Sequence, residues 1–251
     1  MRRYAAQVST PGVIVVTGAS RGLGAAIART LAADGRPVAV NYRRGRDAAH
    51  GVVEDIRASG GEAEAFAADV VDEDEVSRLF SDIEDRLGPV TAVVANATGP
   101  QPSAAVDELT WRAHLDQLEF FVKSPTLLVQ AALPAMRAAG GGRVVMIGSD
   151  MTARALPRAS AYVAAKTAQI GLTKVWAKEL GPLGITVNLV EPGWIPVERH
   201  AGADTTTYAA EVPMGRMGTP DDVAAMVSHL VSDAGGFVTG QQITVNGGHV
   251  L

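Results

Sequence analysis

The stretch VIVVTGASRGLG, residues 13–24, runs from β-branched residues into a loop holding Gly18, Gly22 and Gly24. An unbroken Val/Ile run suits a strand buried on both faces of a sheet. Glycines directly after such a strand allow a sharp turn into a helix beginning near residue 23. They also let a pyrophosphate approach backbone N–H groups at the positive end of that helix. Ser20, Arg21 and Leu23 complete the loop and join the glycines as candidate cofactor contacts. The spacing is G-x-x-x-G-x-G rather than G-x-G-x-x-G, and alone it also describes a plain strand-to-helix turn.

Outward from this loop the same alternation repeats. Short apolar runs occur at 13–17, 37–42, 63–69, 90–96, 143–149, 185–191 and 241–247, with helix-length segments between most of them. In DEDEVSRLFSDIEDRL, residues 72–87, Val76, Leu79, Phe80, Ile83 and Leu87 fall on one stripe, and the acidic opening suits a helix N-terminus. Strands alternating with helices predict a doubly wound parallel α/β fold of about seven strands. With no linker or repeat, residues 1–251 read as one Rossmann-type domain. Its main interruption, WIPVERHAGADTTTYAAEVPMGRMG at 194–218, is polar and dotted with Gly and Pro. We expect it to be a substrate-loop insertion, centred on about 194–215, at a strand's carboxyl end.

The totals narrow the classes. The chain of 251 residues is 47% hydrophobic and 20% charged, ordinary globular composition. A net charge of −5 gives no footprint for nucleic acid. The absence of cysteine removes thiol nucleophiles and cysteine–zinc sites, and the five histidines show no ligand-like spacing, so no metal is expected. No apolar run approaches the ~18–20 residues of a membrane span. The opening residues read as a ragged tail before the first strand, and the expected location is cytoplasmic.

The second strand leads into NYRRGRD, with Tyr42, Arg43, Arg44 and Arg46 and no carboxylate before Asp47. Versions of the fold that bind NAD usually place an acid there for the ribose 2′-hydroxyl. A forked guanidinium suits a 2′-phosphate instead. Arg21 lies in the glycine loop, so two basic elements converge, and NADP(H) is the expected cofactor. Arg21 and Arg43 lead that assignment.

SAYVAAKTAQ, residues 160–169, sets Tyr162 and Lys166 four apart among small residues. Residues i and i+4 share a helix face. A nearby ammonium favours the phenolate, so a tyrosine so placed can exchange a proton with a carbonyl oxygen. Such pairs also arise by accident on surfaces. Ser149 ends the fifth strand, 13 positions earlier, where its hydroxyl can reach the same oxygen.

In their order these residues resemble the short-chain dehydrogenase/reductase family. The likeness spans nearly the whole chain: TGASRGLG, the Asp69-Val70 pair, ANAT after the fourth strand, Ser149, YVAAK, EPGWIP at 191–196, and the closing PMGRMGTPDDVA and FVTGQQITVNGG. The resemblance implies a seven-stranded Rossmann-type sheet, NAD(P)-dependent oxidoreduction, and a homodimer or homotetramer formed through helices near 105–139 and 160–180. It implies that Ser149 orients a carbonyl, that Tyr162 is the acid/base, and that Lys166 holds ribose and lowers the tyrosine pKa. By the same likeness Asp69 and Val70 flank adenine, and Asn96 and Ala97 lie on the adenosine side, with Thr98 beside them as a further candidate cofactor contact. Pro192, Gly193 and Ile195 line the nicotinamide.

The chain also departs from that family. Where an asparagine usually holds a relay water, Phe121 stands. Pro125, four residues on, has no N–H for the Phe121 carbonyl, which would leave that oxygen free to hold the water. Gln117 offers a substitute amide. The plainer reading is that Phe121 fills the core and Pro125 bends the helix. Thr98 replaces a glycine, with Gly99 next, and Val197 replaces a threonine that often bonds the nicotinamide carboxamide.

The substrate pocket is expected between Met151, Arg154, Leu156 and Arg158 on one side and Trp194, Arg199, His200, Tyr208 and Met214 on the other. Such an apolar and aromatic lining with a few cations suits a medium-sized small-molecule ketone bearing an anionic tail, or a carrier-linked acyl substrate, and the closing segment resembles 3-oxoacyl-thioester reductases and glucose-dehydrogenase-like members. Reduction of a ketone by NADPH is the first expectation. A non-reductive dehydratase, isomerase or cyclase with an altered relay is the second, and a nucleotide-binding sensor the third.

Overall fold

The structure is a computed structural model that describes residues 12–250. The tail at 1–11, residue 251 and the side chain of Arg199 lie outside the described residues. In chain order the elements are β1 (Val13–Val16), α1 (Gly22–Ala33), β2 (Val38–Tyr42), α2 (Arg46–Ala58), β3 (Ala63–Ala67), α3 (Glu73–Arg86) and β4 (Val90–Ala95). There follow α4 (Trp111–Leu118), a π-helical turn (Glu119–Lys123), α5 (Ser124–Ala138), β5 (Gly142–Ile147), α6 (Met151–Arg154) and α7 (Ser160–Leu180). The chain closes with β6 (Ile185–Pro192), α8 (Thr206–Glu211), α9 (Pro220–Val231) and β7 (Gln242–Val245).

The seven strands are all parallel, in the order β3-β2-β1-β4-β5-β6-β7. Chain direction along the sheet reverses between β1 and β4, which opens a crevice beyond their carboxyl ends. Each central strand buries both faces, so its side chains divide between two cores. Ile14, Val16, Val40, Val94 and Val190 pack with Leu31 of α1 and Leu230 of α9. Val13, Val15, Val93, Met146 and Leu189 pack with Leu79 of α3, Leu128 of α5 and Leu180 of α7. Each such side chain, taken fully out of water, contributes roughly 1.5–3 kcal/mol.

Local signals explain the boundaries. Asp72 caps α3 by accepting a hydrogen bond from the Glu75 N–H at 2.9 Å, and three acids occupy its first turn. Of the expected stripe, Val76, Leu79, Phe80 and Ile83 form the buried face, and Leu87, at the C-cap, is partly buried against the same core. Thr219 and Asp222 form a reciprocal capping box at the start of α9. Arg216 clamps Asp222 with two contacts of 2.7 and 2.8 Å, which ties the end of the long segment after β6 to that helix.

Candidate active site

The loop after β1 is held rigid from β4. The Asn96 side chain donates to the Thr17 carbonyl at 2.8 Å and to the Gly18 carbonyl at 3.3 Å. Thr17 Oγ1 accepts from the N–H groups of Asn96 and Ala97, each at 3.0 Å. The loop has room for no side chain at Gly24: a Cβ there would lie 2.4 Å from the Gly18 carbonyl oxygen. Gly18 and Gly22 have φ of +62° and +56°, a region glycine enters without penalty.

The N-terminus of α1 already meets an anionic oxygen. The Gly22 N–H donates to Glu198 Oε1 at 3.4 Å, from the single 3₁₀ turn Glu198–His200 that follows β6. The carboxylate stands where backbone donors and the helix dipole favour negative charge. The residues therefore fit a pyrophosphate, as the glycine spacing suggests.

At the end of β2 the Arg43 guanidinium pairs with Asp69, Nε to Oδ2 at 2.9 Å. Arg21, Tyr42 and Arg44 line the same end of the crevice. One cleft of about 1030 Å³ runs from there past the glycine loop to β5. The residues expected from the sequence to act on or hold the cofactor border it: Gly18 to Gly24 except Ala19, Tyr42 to Arg44, Asp69, Val70, Asn96 to Thr98, Ser149, Tyr162, Lys166, Pro192, Gly193 and Ile195.

At the far end, Ser149 follows β5 and its Oγ accepts from the Met151 N–H at 3.2 Å. Lys166 is only 5% exposed. Its Nζ donates to the Ile147 carbonyl at 2.6 Å and lies 5.7 Å from the Tyr162 ring centroid. Burial pushes the Lys166 ammonium down to about 7, with the nearby Glu191 carboxylate pulling the other way.

Two further residues named from the sequence, Gln117 and Phe121, are buried. The Gln117 side chain leaves its Oε1 with no hydrogen-bond partner among the described residues. Its Nε2 is committed to the Pro100 carbonyl at 2.7 Å. Phe121 is a buried core residue, and its ring centroid lies 3.7 Å from Lys166 Nζ. Pro125 has no N–H, and the chain widens into a π turn just before it, where the Ser124 N–H reaches the Glu119 carbonyl. At Gly99, one residue after Thr98, the Phe120 ring occupies the space a Cβ would take.

On the substrate side, Met151, Arg154, Leu156, Arg158, Trp194 and His200 border the cleft, whereas Tyr208 and Met214 do not. Tyr208 braces Trp194 from behind: its hydroxyl accepts from the Trp194 N–H at 2.9 Å and the rings meet edge to face at 5.4 Å. Arg158 is held by Glu108 at 3.1 Å.

Sequence reasoning missed a buried acidic layer beneath Ser149. Glu191 accepts from Thr152 Oγ1 at 3.1 Å and from Gln242 Nε2 at 2.5 Å. Asp150 lies 3.8 Å from the His249 ring, which reaches Glu211 at 3.3 Å. Burial raises the pKa of both Asp150 and Glu191. Glu191 opens the EPGWIP segment, but nothing in the local pattern marks its burial or its neighbour Asp150.

A family model described as Enoyl-(Acyl carrier protein) reductase matches residues 18–249. The chain belongs to the short-chain dehydrogenase/reductase family. Among curated members it is 38% identical over 239 residues to a 3-oxoacyl-(acyl-carrier-protein) reductase FabG of Staphylococcus epidermidis, covering 93% of this chain and 97% of that one. Among solved short-chain dehydrogenase/reductase structures, a blue fluorescent protein from a metagenomic library in complex with NADPH superposes with a TM-score of 0.88 at 34% identity. That match covers 98% of this chain and all of the other. The promiscuous reductase LugOII, which catalyses a keto-reduction in lugdunomycin biosynthesis, gives a TM-score of 0.89 at 33% identity over 97% and 99% of the two chains.

Proposed function

We propose that this protein is an NADPH-dependent carbonyl reductase in which Tyr162 is the proton donor. The observation that carries the reading is the convergence of Ser149, Tyr162 and the buried Lys166 at one end of a cleft whose other end is lined with arginines. The glycine loop and the α1 N-terminus would hold the pyrophosphate, and Arg21, Arg43 and Arg44 a 2′-phosphate. Bound NADPH supplies the hydride, two electrons that reduce the carbonyl carbon.

The chain's own residues do the rest. The Ser149 hydroxyl and the Tyr162 phenol donate hydrogen bonds to the substrate oxygen, which polarises the carbonyl. As negative charge develops on that oxygen, the Tyr162 proton moves onto it and the product is an alcohol. Lys166 stabilises the phenolate that remains until Tyr162 takes a proton again. Trp194, braced by Tyr208, forms an apolar wall that limits water.

The name of the Staphylococcus relative and the keto-reduction by LugOII favour a ketone, small or carrier-linked through an acyl chain, as substrate. A homodimer or homotetramer completes the reading. The test is consumption of NADPH and NADH, followed at ~340 nm, with 3-oxoacyl thioesters, diketones and quinones. NADPH-selective turnover that falls by ~10²-fold or more in Tyr162→Phe is expected. Parental turnover in that variant would overturn the assignment.

A further inference from the structure

Phe121 sits in the π-helical turn between α4 and α5 and is one of the largest fully enclosed side chains, 2% exposed. Its surroundings are not simply aliphatic. Lys166 Nζ lies 3.7 Å from the ring centroid, within cation–π range. The Tyr162 ring meets the same ring at a centroid distance of 5.5 Å and an interplanar angle of 86°, the T-shaped arrangement that aromatic quadrupoles prefer. One side chain from a different helix thus touches both members of the i, i+4 pair.

The ammonium has three N–H donors. The Ile147 carbonyl takes one at 2.6 Å, and the Phe121 face supplies electron density from another direction. The ionisable groups facing Lys166 are Tyr162 on its own helix and Glu191 from β6. The Glu191 carboxylate is bonded to Thr152 and Gln242, and it acts on Lys166 through charge alone. Asp150, beyond β5, acts on Glu191 in turn.

We propose that Phe121 is a positioning residue for the Tyr162–Lys166 pair, its π face seating the ammonium while its T-shaped contact fixes the phenol ring. The proposal rests on the reading of that pair as the acid/base machinery. Burial opposes the charged lysine, and the ring quadrupole opposes that loss. An aliphatic side chain of similar bulk would fill the space without this electrostatic contribution.

The test replaces Phe121 with 3,4,5-trifluorophenylalanine by nonsense suppression, which keeps the shape and depletes the π face. Phe121→Leu serves as the aliphatic comparison, and circular dichroism checks both folds. The first readout needs no cofactor: the ¹³Cε resonance of Lys166, assigned with Lys166→Arg, is titrated in the free protein. In the trifluoro variant the midpoint is expected to fall by ~0.5–1 pH unit. The second readout is the basic limb of kcat with NADPH and an accepted ketone, expected to move the same way. A native fold with an unchanged lysine midpoint in both variants would reduce Phe121 to a core filler and overturn the proposal. Parental turnover in Tyr162→Phe would instead sink the acid/base reading, and the cofactor-free titration would still judge the ring contact.

Discussion

Arg43, just past β2, and Asp69, just past β3, form an ion pair with 2.9 Å between Nε and Oδ2. The pair joins neighbouring strands where the crevice is lined with cations. Asp69 is mostly buried and Arg43 half exposed, so the acid orients a guanidinium that keeps donors for an incoming anion. Removing Arg43 tests its partner directly. Arg43→Ala is expected to weaken NADPH binding ~10–100-fold, the scale of losing a charge-assisted phosphate contact. NADH binding should change little. Titration of both nucleotides by fluorescence decides it, and equal losses would show that Arg43 does not read the 2′-phosphate.

The Glu198 carboxylate bonds the Gly22 N–H, so it shares the positive end of α1 with any pyrophosphate placed there. Glu198→Gln removes the negative charge. NADPH affinity is expected to rise ~2–5-fold at low salt, and the gain should shrink as salt screens the charge. Isothermal titration at two ionic strengths measures this, and an affinity equal to the parent's would show that the two anions do not compete.

Lys166 carries a stability signature of its own. Its pKa is pushed down to about 7 by burial, against about 10.4 in an unfolded chain. Below pH ~7 both states are protonated and the cost of the buried charge is fully present. Between pH ~7 and ~10.4 the unfolded chain holds more protons, so native stability rises with pH. Lys166→Met should therefore be more stable than the parent at pH 6, with the difference narrowing toward pH 10. Urea midpoints across that range check the sign. A difference that does not narrow would place the lysine pKa near its ordinary value.

Gly24 has a backbone neighbour that cannot move aside. A Cβ there would lie 2.4 Å from the Gly18 carbonyl and 2.6 Å from Asn96 Nδ2. Gly24→Ala is expected to cost ~1–3 kcal/mol through displacement of the loop. Thermal melts should show a lower Tm and a smaller stabilisation by NADPH than in the parent. An undiminished NADPH shift would show that the loop repacks without losing its ligand geometry.

Part of this molecule is legible from the chain alone because the physics is local. Val13–Val16 can hardly be other than a buried strand, the acids of 72–75 start a helix, and glycines 18, 22 and 24 let the backbone turn tightly between strand and helix. Tyr162 and Lys166 share a face because a helix repeats every 3.6 residues. Asp69, Val70, Asn96, Ala97, Pro192, Gly193 and Ile195 are named through the family resemblance, and they meet in the cleft because they lie at strand ends of an open parallel sheet.

What only the tertiary structure decided are contacts between segments far apart in sequence. The Phe121 ring reaches Lys166 from 45 positions away, and Glu198 reaches Gly22 from 176. No spacing rule encodes such meetings. Burial of Lys166 and the acidic layer of Asp150 and Glu191 likewise arise only when α7, β5 and β6 exclude water together. Desolvation belongs to a whole environment rather than to a residue, so the sequence named the Tyr162–Lys166 pair while the packing lowered the lysine pKa.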